Sequence, residues 1–211
     1  KLYVRVLDYK SSSRKFRLYN LYHGLELQLM AYLSLIVEKG EELFGRTVFP
    51  AGILYFAVRS PMTQGRKPLN EAELERNLRK EFKMTGLLLD DKEILRLMDC
   101  DSPQYSDIIP VVFTKDGVGK SSSTATLEQF GVLMAFTKRK LAQLAKRIFE
   151  GDVSIFPYRC RDENACENLH CEYRPVCFFD PLLGNFYRDI YPEGDQEIMR
   201  RIYEEMGEDN G

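Results

Sequence analysis

"VRVLDYKSS", residues 4–12, has the alternating, β-forming composition of a strand that becomes polar where it ends. Side chains at positions i and i+2 of a strand share a face, so Asp8 and Lys10 point the same way and Tyr9 points to the other. A carboxylate can hold a hard divalent cation, and a lysine beside it can position water and stabilise negative charge on a phosphate. A surface ion pair at a strand end, which contributes little energy, is the better explanation of this motif when it stands alone.

The next segment predicts a crossover unit. Apolar residues recur at helical spacing over residues 21–44, so we predict one long helix there, with Gly45 as its stop. Residues 53–60, "ILYFAVRS", are apolar enough for a buried central strand. Strand, helix and strand in this order are typical of an α/β sheet.

Two polar residues on the predicted helix leave two interpretations. Gln28 lies among apolar residues, and Tyr32 lies one turn further on the same face. A buried glutamine must find hydrogen-bond partners or cost stability, so Gln28 is either a satisfied buried amide or part of a site. In the second case, Gln28 and Tyr32 face the same site as Asp8 and Lys10.

The rest of the chain predicts a mixture of helices and one hairpin. We predict helices over 70–86, 90–98 and about 127–149, and a strand pair within 108–122 that turns at Asp116-Gly117. "DGVGKSSS" is similar to a phosphate-binding loop, but Thr114 stands where that loop requires glycine. The predicted division is a strand–helix–strand unit over 1–59, a helical and hairpin part over 60–151, and a cysteine-rich segment with an acidic tail over 152–211.

The composition argues against a disordered chain and against a membrane-spanning one, and the basic charge is concentrated near the start of the sequence. The 211 residues are 44% hydrophobic and 29% charged, which is typical of a globular protein rather than a disordered one. No apolar run approaches the ~20 residues of a membrane span. The net charge is −2, yet residues 1–20 carry six basic side chains against one acid, as a phosphate-facing groove requires. The chain begins with Lys1 and goes directly into a strand, so we expect a fragment of a larger protein.

Four of the five cysteines are clustered. Cys160, Cys166, Cys171 and Cys177 are separated by five, four and five residues. Thiolates at this density suit Zn²⁺ or an iron–sulfur cluster, and without a secretory signal metal ligation is favoured over disulfides. His170 could serve a zinc site.

Together these motifs resemble the PD-(D/E)XK nuclease superfamily, in its RecB-like branch. "DYKSS" at 8–12, "YHGLELQLMAYL" at 22–33 and "PAGILYFAV" at 50–58 are more similar still to the nuclease domain of AddB-type subunits of bacterial ATP-dependent helicase–nucleases. The resemblance continues to "YRPVCFFDP" at 173–181 and so covers nearly the whole chain. It implies an α/β, restriction-endonuclease-like core, truncated at its N-terminus, with additional helices and a C-terminal iron–sulfur segment.

The resemblance also assigns roles. The family's metal-binding aspartate matches Asp8, which would hold Mg²⁺, and its catalytic lysine matches Lys10. Gln28 and Tyr32 match the glutamine and tyrosine that support the site. The family has a further metal-binding aspartate upstream of D-x-K, and this chain starts too late to contain it. We therefore expect a metal-dependent DNA exonuclease domain that is inactive as an isolated fragment.

A [4Fe–4S] cluster is implied for the cysteine segment, with zinc as the alternative. The family's spacing is C-x2-C-x5-C, which Cys171 and Cys177 keep, while Asn168 stands where the preceding cysteine would fall. Cys166 is the expected substitute. Cys160 is either an extra thiol or a replacement fourth ligand.

The implied setting is double-strand-break repair in the bacterial cytoplasm, away from membranes. The substrate would be a single DNA strand from an unwound duplex end, and an AddA-like helicase–nuclease chain would be the heterodimer partner. Arg14, Lys15 and Arg17 would contact the DNA backbone without sequence choice. Two other classes stay open: a nuclease-like fold that guides DNA without cutting it, and a zinc-clasped interaction module.

Overall fold

The computed structural model describes residues 1–58, 70–161, 163–167 and 171–208. The strands are β1 Leu2–Lys10, β2 Val48–Ala57, β3 Thr85–Leu89, β4 Thr124–Ala125, β5 Tyr158–Cys160, β6 Glu163–Asn164 and β7 Arg188–Asp189. The α-helices are α1 Leu18–Tyr22, α2 Gln28–Glu38, α3 Gly40–Phe44, α4 Glu71–Glu81, α5 Lys92–Met98, α6 Leu127–Phe149, α7 Arg174–Cys177 and α8 Asp195–Glu208. A 3₁₀-helix spans Pro181–Leu183.

The central sheet has four strands in the order β1-β2-β3-β4. β1 and β2 are parallel and are joined through α1–α3, which confirms the predicted crossover and the α/β class. β3 is antiparallel to β2 and parallel to β4. A separate small sheet has the order β6-β5-β7.

Each face of the central sheet is covered by its own hydrophobic cluster. Val6 packs into the cluster formed mainly with α1, α2, α6 and α8, whereas Leu7 packs into the cluster on the other face. Tyr9 continues the second face and meets the ring of Phe56 edge-on, with 5.9 Å between ring centroids. Because side chains alternate along β1, Asp8 continues the face that is covered by the helices. The polar end of β1 therefore opens on the same side as α2.

The prediction of a single helix over 21–44 is wrong. The chain forms α1, α2 and α3, with a turn after Tyr22 in which Gly24 has a φ of +81°. α2 ends at Glu38, and Gly40 follows where the chain passes close to β2: a Cβ on Gly40 would lie 2.5 Å from Val48 Cγ2. Apolar residues continue through both breaks, because α3 still carries Leu43 and Phe44, although both are exposed and Gly40 is the only residue that α3 buries. Gly45 ends α3 with a φ of +62°, as the predicted stop requires.

The strand pair predicted within 108–122 is also wrong, although its turn is present. Thr114 N donates to Gly117 O at 3.0 Å and closes the turn. In the described part of this segment, pairing is limited to isolated bridges, such as Phe113 with Val118. Strand β3, which precedes this segment, was not predicted. Residues 85 and 86 belong to it, and the helix that was predicted to reach residue 86 ends at Glu81.

Two of the local predictions are confirmed. α5 and α6 form where the periodicity places them. Thr126 and Gln129 cap α6 reciprocally: each side chain accepts a hydrogen bond from the other residue's backbone N–H, at 3.2 and 2.8 Å. Across the residues described, no helix combines the length and apolar character needed to cross a bilayer.

Candidate active site

The polar end of β1 holds a close charge pair. Lys10 Nζ lies 2.6 Å from Asp8 Oδ2, and the two side chains are 26% and 19% exposed. This ammonium is the only partner of the buried Oδ2 atom among the described residues, since no group there makes a hydrogen bond of good geometry to it. A buried carboxylate that has one ammonium as its partner keeps lone pairs that a cation can use. Such an oxygen is a suitable ligand for a hard cation.

Tyr55 lies beside this pair and was not predicted. It is the partner of Asp8 in the parallel register of β1 and β2, and Lys10 Nζ lies 5.8 Å from the centre of its ring. Burial, together with the negative charges of Glu26 and Asp8, raises the pKa of Tyr55 to about 12, and the positive charge of Arg14 opposes them. The phenol is therefore neutral at physiological pH and adds no charge to the site. Only the pairing register could have revealed this neighbour.

Gln28 and Tyr32 form a polar pair on α2. Gln28 Nε2 donates to Tyr32 Oη at 3.3 Å, and both residues are exposed, so the interpretation of Gln28 as a buried amide is wrong. α2 packs against β1 and β2. Among the residues described, no hydrogen bond or ion pair joins this pair to Asp8 or Lys10. The structure thus places the four predicted residues on adjoining elements without direct contacts between the two pairs.

The three predicted basic residues share one cavity. Arg14, Lys15 and Arg17 are exposed and line a cavity of about 480 Å³ next to the end of β1. Arg17 Nη1 donates to Tyr19 Oη at 2.7 Å, which fixes the direction of the guanidinium. Tyr158 and two further residues of the C-terminal segment, Cys160 and Glu163, line the same cavity. We call it the basic cavity.

Glu26 is the acidic member of the basic cavity on the side of α2, and nothing in the sequence pattern singled it out. It is half-buried, and its Oε2 accepts the backbone N–H of Arg17 at 3.4 Å. Burial raises the pKa of Glu26, while hydrogen bonds from Asn20 and Arg17 and the positive charge of Arg14 oppose that shift. The carboxylate thus ties the basic segment to the turn that precedes α2.

The predicted cysteine ligands divide into two places. Burial raises the pKa of Cys166, and the nearby thiols of Cys171 and Cys177 raise it further. Asn164 Oδ1 accepts the backbone N–H of Cys166 at 3.0 Å and so fixes the turn that presents it. Cys160 lies apart, on β5, in the basic cavity.

The thiols of Cys166, Cys171 and Cys177 are suitable ligands for an iron–sulfur cluster, but they are not arranged as a metal-binding group among the described residues. Within the described ranges, no three His, Cys, Asp or Glu side chains are arranged to hold a metal ion. Asn168 and His170 lie outside the described residues.

Comparison with known proteins agrees with these motifs. The family model of the PD-(D/E)XK nuclease superfamily matches residues 1–178. Among curated relatives, proteins named as the B subunit of an ATP-dependent helicase/deoxyribonuclease are similar to this chain. The one from Moorella thermoacetica is 43% identical over 190 residues, which cover 89% of this chain and 16% of the relative. The one from Clostridium kluyveri is 38% identical over 209 residues, which cover 98% and 18%.

The chain therefore spans less than a fifth of the length of these relatives. The family match takes in both D-x-K on β1 and Q-x-x-x-Y on α2. On this evidence the chain belongs to the PD-(D/E)XK nuclease superfamily.

Proposed function

We propose that this chain is the nuclease domain of an AddB-type helicase–nuclease and that it hydrolyses phosphodiester bonds of single-stranded DNA with Mg²⁺. The observation that carries the proposal is the close pair of Asp8 and Lys10, in which the buried Asp8 Oδ2 has only the Lys10 ammonium as a partner among the described residues, in the segment that the superfamily model matches. The relatives' name supports a DNA substrate and a second protein chain as partner. The setting we propose is double-strand-break repair in the bacterial cytoplasm, with an AddA-like chain as that partner.

The proposed roles follow from the chemistry of each side chain. Asp8 would hold the Mg²⁺ ion, and a bound Mg²⁺ supplies charge neutralisation at the phosphate and a more acidic water. Lys10 lies close enough to Asp8 to hold the same phosphate oxygen or water and to stabilise charge that develops there. Gln28 and Tyr32 would orient the strand or the water from α2. Because D-x-K supplies one carboxylate, a complete Mg²⁺ site needs another acidic ligand.

DNA binding is assigned to the basic cavity. Arg14, Lys15 and Arg17 are exposed and lie on one wall, close to the end of β1. Contacts to phosphate oxygens carry affinity and position but no sequence information. We therefore propose that this cavity holds the strand next to the cleaved bond without sequence choice.

Metal dependence tests the proposal. The full-length protein should cleave a 5′- or 3′-labelled single-stranded oligonucleotide in Mg²⁺ and should release no product in EDTA, because the proposed attack on phosphate needs the cation. Restoring Mg²⁺ after EDTA is the control for irreversible damage. Intact DNA binding without cleavage in Mg²⁺ would instead support a domain that only guides the strand.

We also propose that Cys166, Cys171 and Cys177 bind a [4Fe–4S] cluster, with Cys160 as the candidate for a fourth ligand. The thiols of Cys171 and Cys177 are near enough to Cys166 to raise its pKa, which supports a common site for the three. Large apolar side chains of this segment, such as Phe178, are exposed, so burial alone does little to hold it together.

Iron and acid-labile sulfide should therefore both be present in anaerobically purified full-length protein and should be lost together in Cys177→Ser. Cys100→Ser is the matched control, because Cys100 is exposed and lies far from this segment in sequence. Zinc without sulfide would support the zinc-clasped alternative.

A further inference from the structure

A second positively charged cavity lies at the C-terminal end of α1. It has a volume of about 370 Å³ and takes its walls from three elements: the end of α1, one face of α6, and β7. Apart from the phenol of Tyr22, its ionisable lining residues are all basic: His23, Lys140, Arg147 and Arg188. None of the residues proposed for cleavage lines it.

Two nitrogen atoms in this cavity are buried without partners. Arg188 Nε and His23 Nε2 have no hydrogen-bond partner among the residues that the structure describes. Within the same described residues, Arg188 has no carboxylate within 4.0 Å. A buried guanidinium N–H costs stability when unpaired, so Arg188 Nε indicates a place for an acceptor that comes from outside.

The neighbouring carboxylates are engaged elsewhere. Glu205 Oε2 is 3.3 Å from Arg139 Nη2 and 3.7 Å from Lys140 Nζ, and its Oε1 accepts the hydroxyl of Tyr22. Lys140 Nζ therefore has only a shared and distant counter-ion, and it lies over the ring of Phe136 at 4.9 Å from the centre.

The remaining acids are paired at the rim. Arg147 Nη2 is 2.6 Å from Asp152 Oδ2, and Glu193 is held by Arg201 at 2.7 Å. Burial lowers the pKa of His23, Arg188 lowers it further together with Lys140 and Arg201, and Glu193 opposes them. Three cations and one acid thus act on His23, so the electrostatic potential at this residue is positive.

We propose that this cavity binds a phosphate group of a nucleic-acid strand, with Arg188 and Lys140 pairing with its oxygens. A guanidinium with a free Nε–H can donate two parallel hydrogen bonds to two phosphate oxygens. The binding of phosphate follows from the cavity alone. The identification of the strand as DNA rests on the proposed nuclease function.

The position of α1 relates this cavity to the basic cavity. Arg17 precedes α1 and lines the basic cavity, whereas His23 follows α1 and lines the second one. The five residues of α1 rise by about 7.5 Å, so the two cavities lie at opposite ends of a single short helix. One strand that passes α1 can contact both.

Salt dependence of binding provides the test. In the full-length protein without divalent cations, the affinity for a single-stranded oligonucleotide is measured between about 50 and 200 mM salt. Arg188→Gln should weaken binding about tenfold and reduce the slope of log affinity against log salt by about 0.7, the value for one lost phosphate contact on a single strand. Lys140→Gln should act in the same direction, and Arg188→Lys should keep most of the slope because it keeps the charge.

Matched controls are available on the surface. Arg79→Gln on α4 and Lys146→Gln on α6 remove exposed cations that already pair with Glu75 and Glu150 and do not line the cavity. Both controls should keep the wild-type affinity and slope. If Arg188→Gln and Lys140→Gln match these controls, a nucleic-acid strand is not the ligand of this cavity.

Binding of inorganic phosphate tests whether the site exists, independently of whether its ligand is a nucleic-acid strand or free phosphate. Equilibrium dialysis with labelled phosphate should show one binding site fewer in Arg188→Gln than in wild type. Loss of phosphate binding with unchanged oligonucleotide affinity would support the site with free phosphate as its ligand. Loss of neither would overturn it. Neither readout depends on cleavage, so an inactive nuclease would leave the result interpretable.

Discussion

Asp8→Asn is expected to lower the rate of Mg²⁺-dependent cleavage of single-stranded DNA by about 10³-fold or more. Asparagine keeps the size of the side chain but removes the charge that would hold the cation, and it replaces one carboxylate oxygen with an amide that binds Mg²⁺ weakly. The ion pair with Lys10 is lost at the same time, which leaves the ammonium without its 2.6 Å neighbour. The initial rate of product release by the full-length protein is the measurement.

The control for this substitution is Asp116→Asn, which changes an exposed aspartate in a turn and should keep the wild-type rate. Oligonucleotide affinity without Mg²⁺ should be equal in Asp8→Asn and wild type, because the basic cavity is unaltered. Cleavage at the wild-type rate by Asp8→Asn would remove Asp8 from the mechanism and leave the charge pair as a structural feature of the strand end.

The largest expected effect on stability comes from Gly86→Ala. Gly86 has a φ of +155°, and an added Cβ would lie 2.0 Å from the carbonyl oxygen of Ile53 on the neighbouring strand. Backbone cannot yield as a flexible side chain can, so β2 and β3 must separate. We expect a loss of about 3 kcal/mol or more in the free energy of unfolding, measured by urea denaturation of the 211-residue chain.

Gly131→Ala on α6 is the matched control, because an added Cβ there meets no atom within 4 Å. Alanine is favoured over glycine inside a helix, so this variant should gain about 0.5–1 kcal/mol. Similar stability of the two variants would mean that β2 and β3 do not approach as closely as the structure shows.

Local signals in the sequence predicted the elements that depend on local chemistry. α6 follows from its periodicity, and the shared face of Asp8 and Lys10 follows from strand alternation alone. The break at Gly40 could not be predicted, since its cause is the distant side chain of Val48. Apolar periodicity carries no information about such contacts.

The same limit applies to the candidate site. Tyr55 lies beside Asp8 only because β1 pairs with β2. Glu26 belongs to the basic cavity only because the segment around Arg14 lies close to it in the folded chain. The second basic cavity is built from α1, α6 and β7, which are far apart in sequence. Motifs predict the residues that lie on one element, whereas a cavity shared by three elements needs the tertiary structure.

The burial of α8 has a consequence for biosynthesis. Ile198 and Ile202 of this helix are fully buried in the same cluster as Leu29 and Leu33 of α2. β1 leaves the ribosome about 190 residues before these isoleucines, and at roughly 5–20 residues per second the interval is on the order of 10–40 s. α8 packs on α1 and α6, so until it is synthesised the apolar faces of these two helices lack this cover and are exposed to chaperones and to self-association. The strand that carries Asp8 and Lys10 thus acquires a finished core only after α8 has been synthesised.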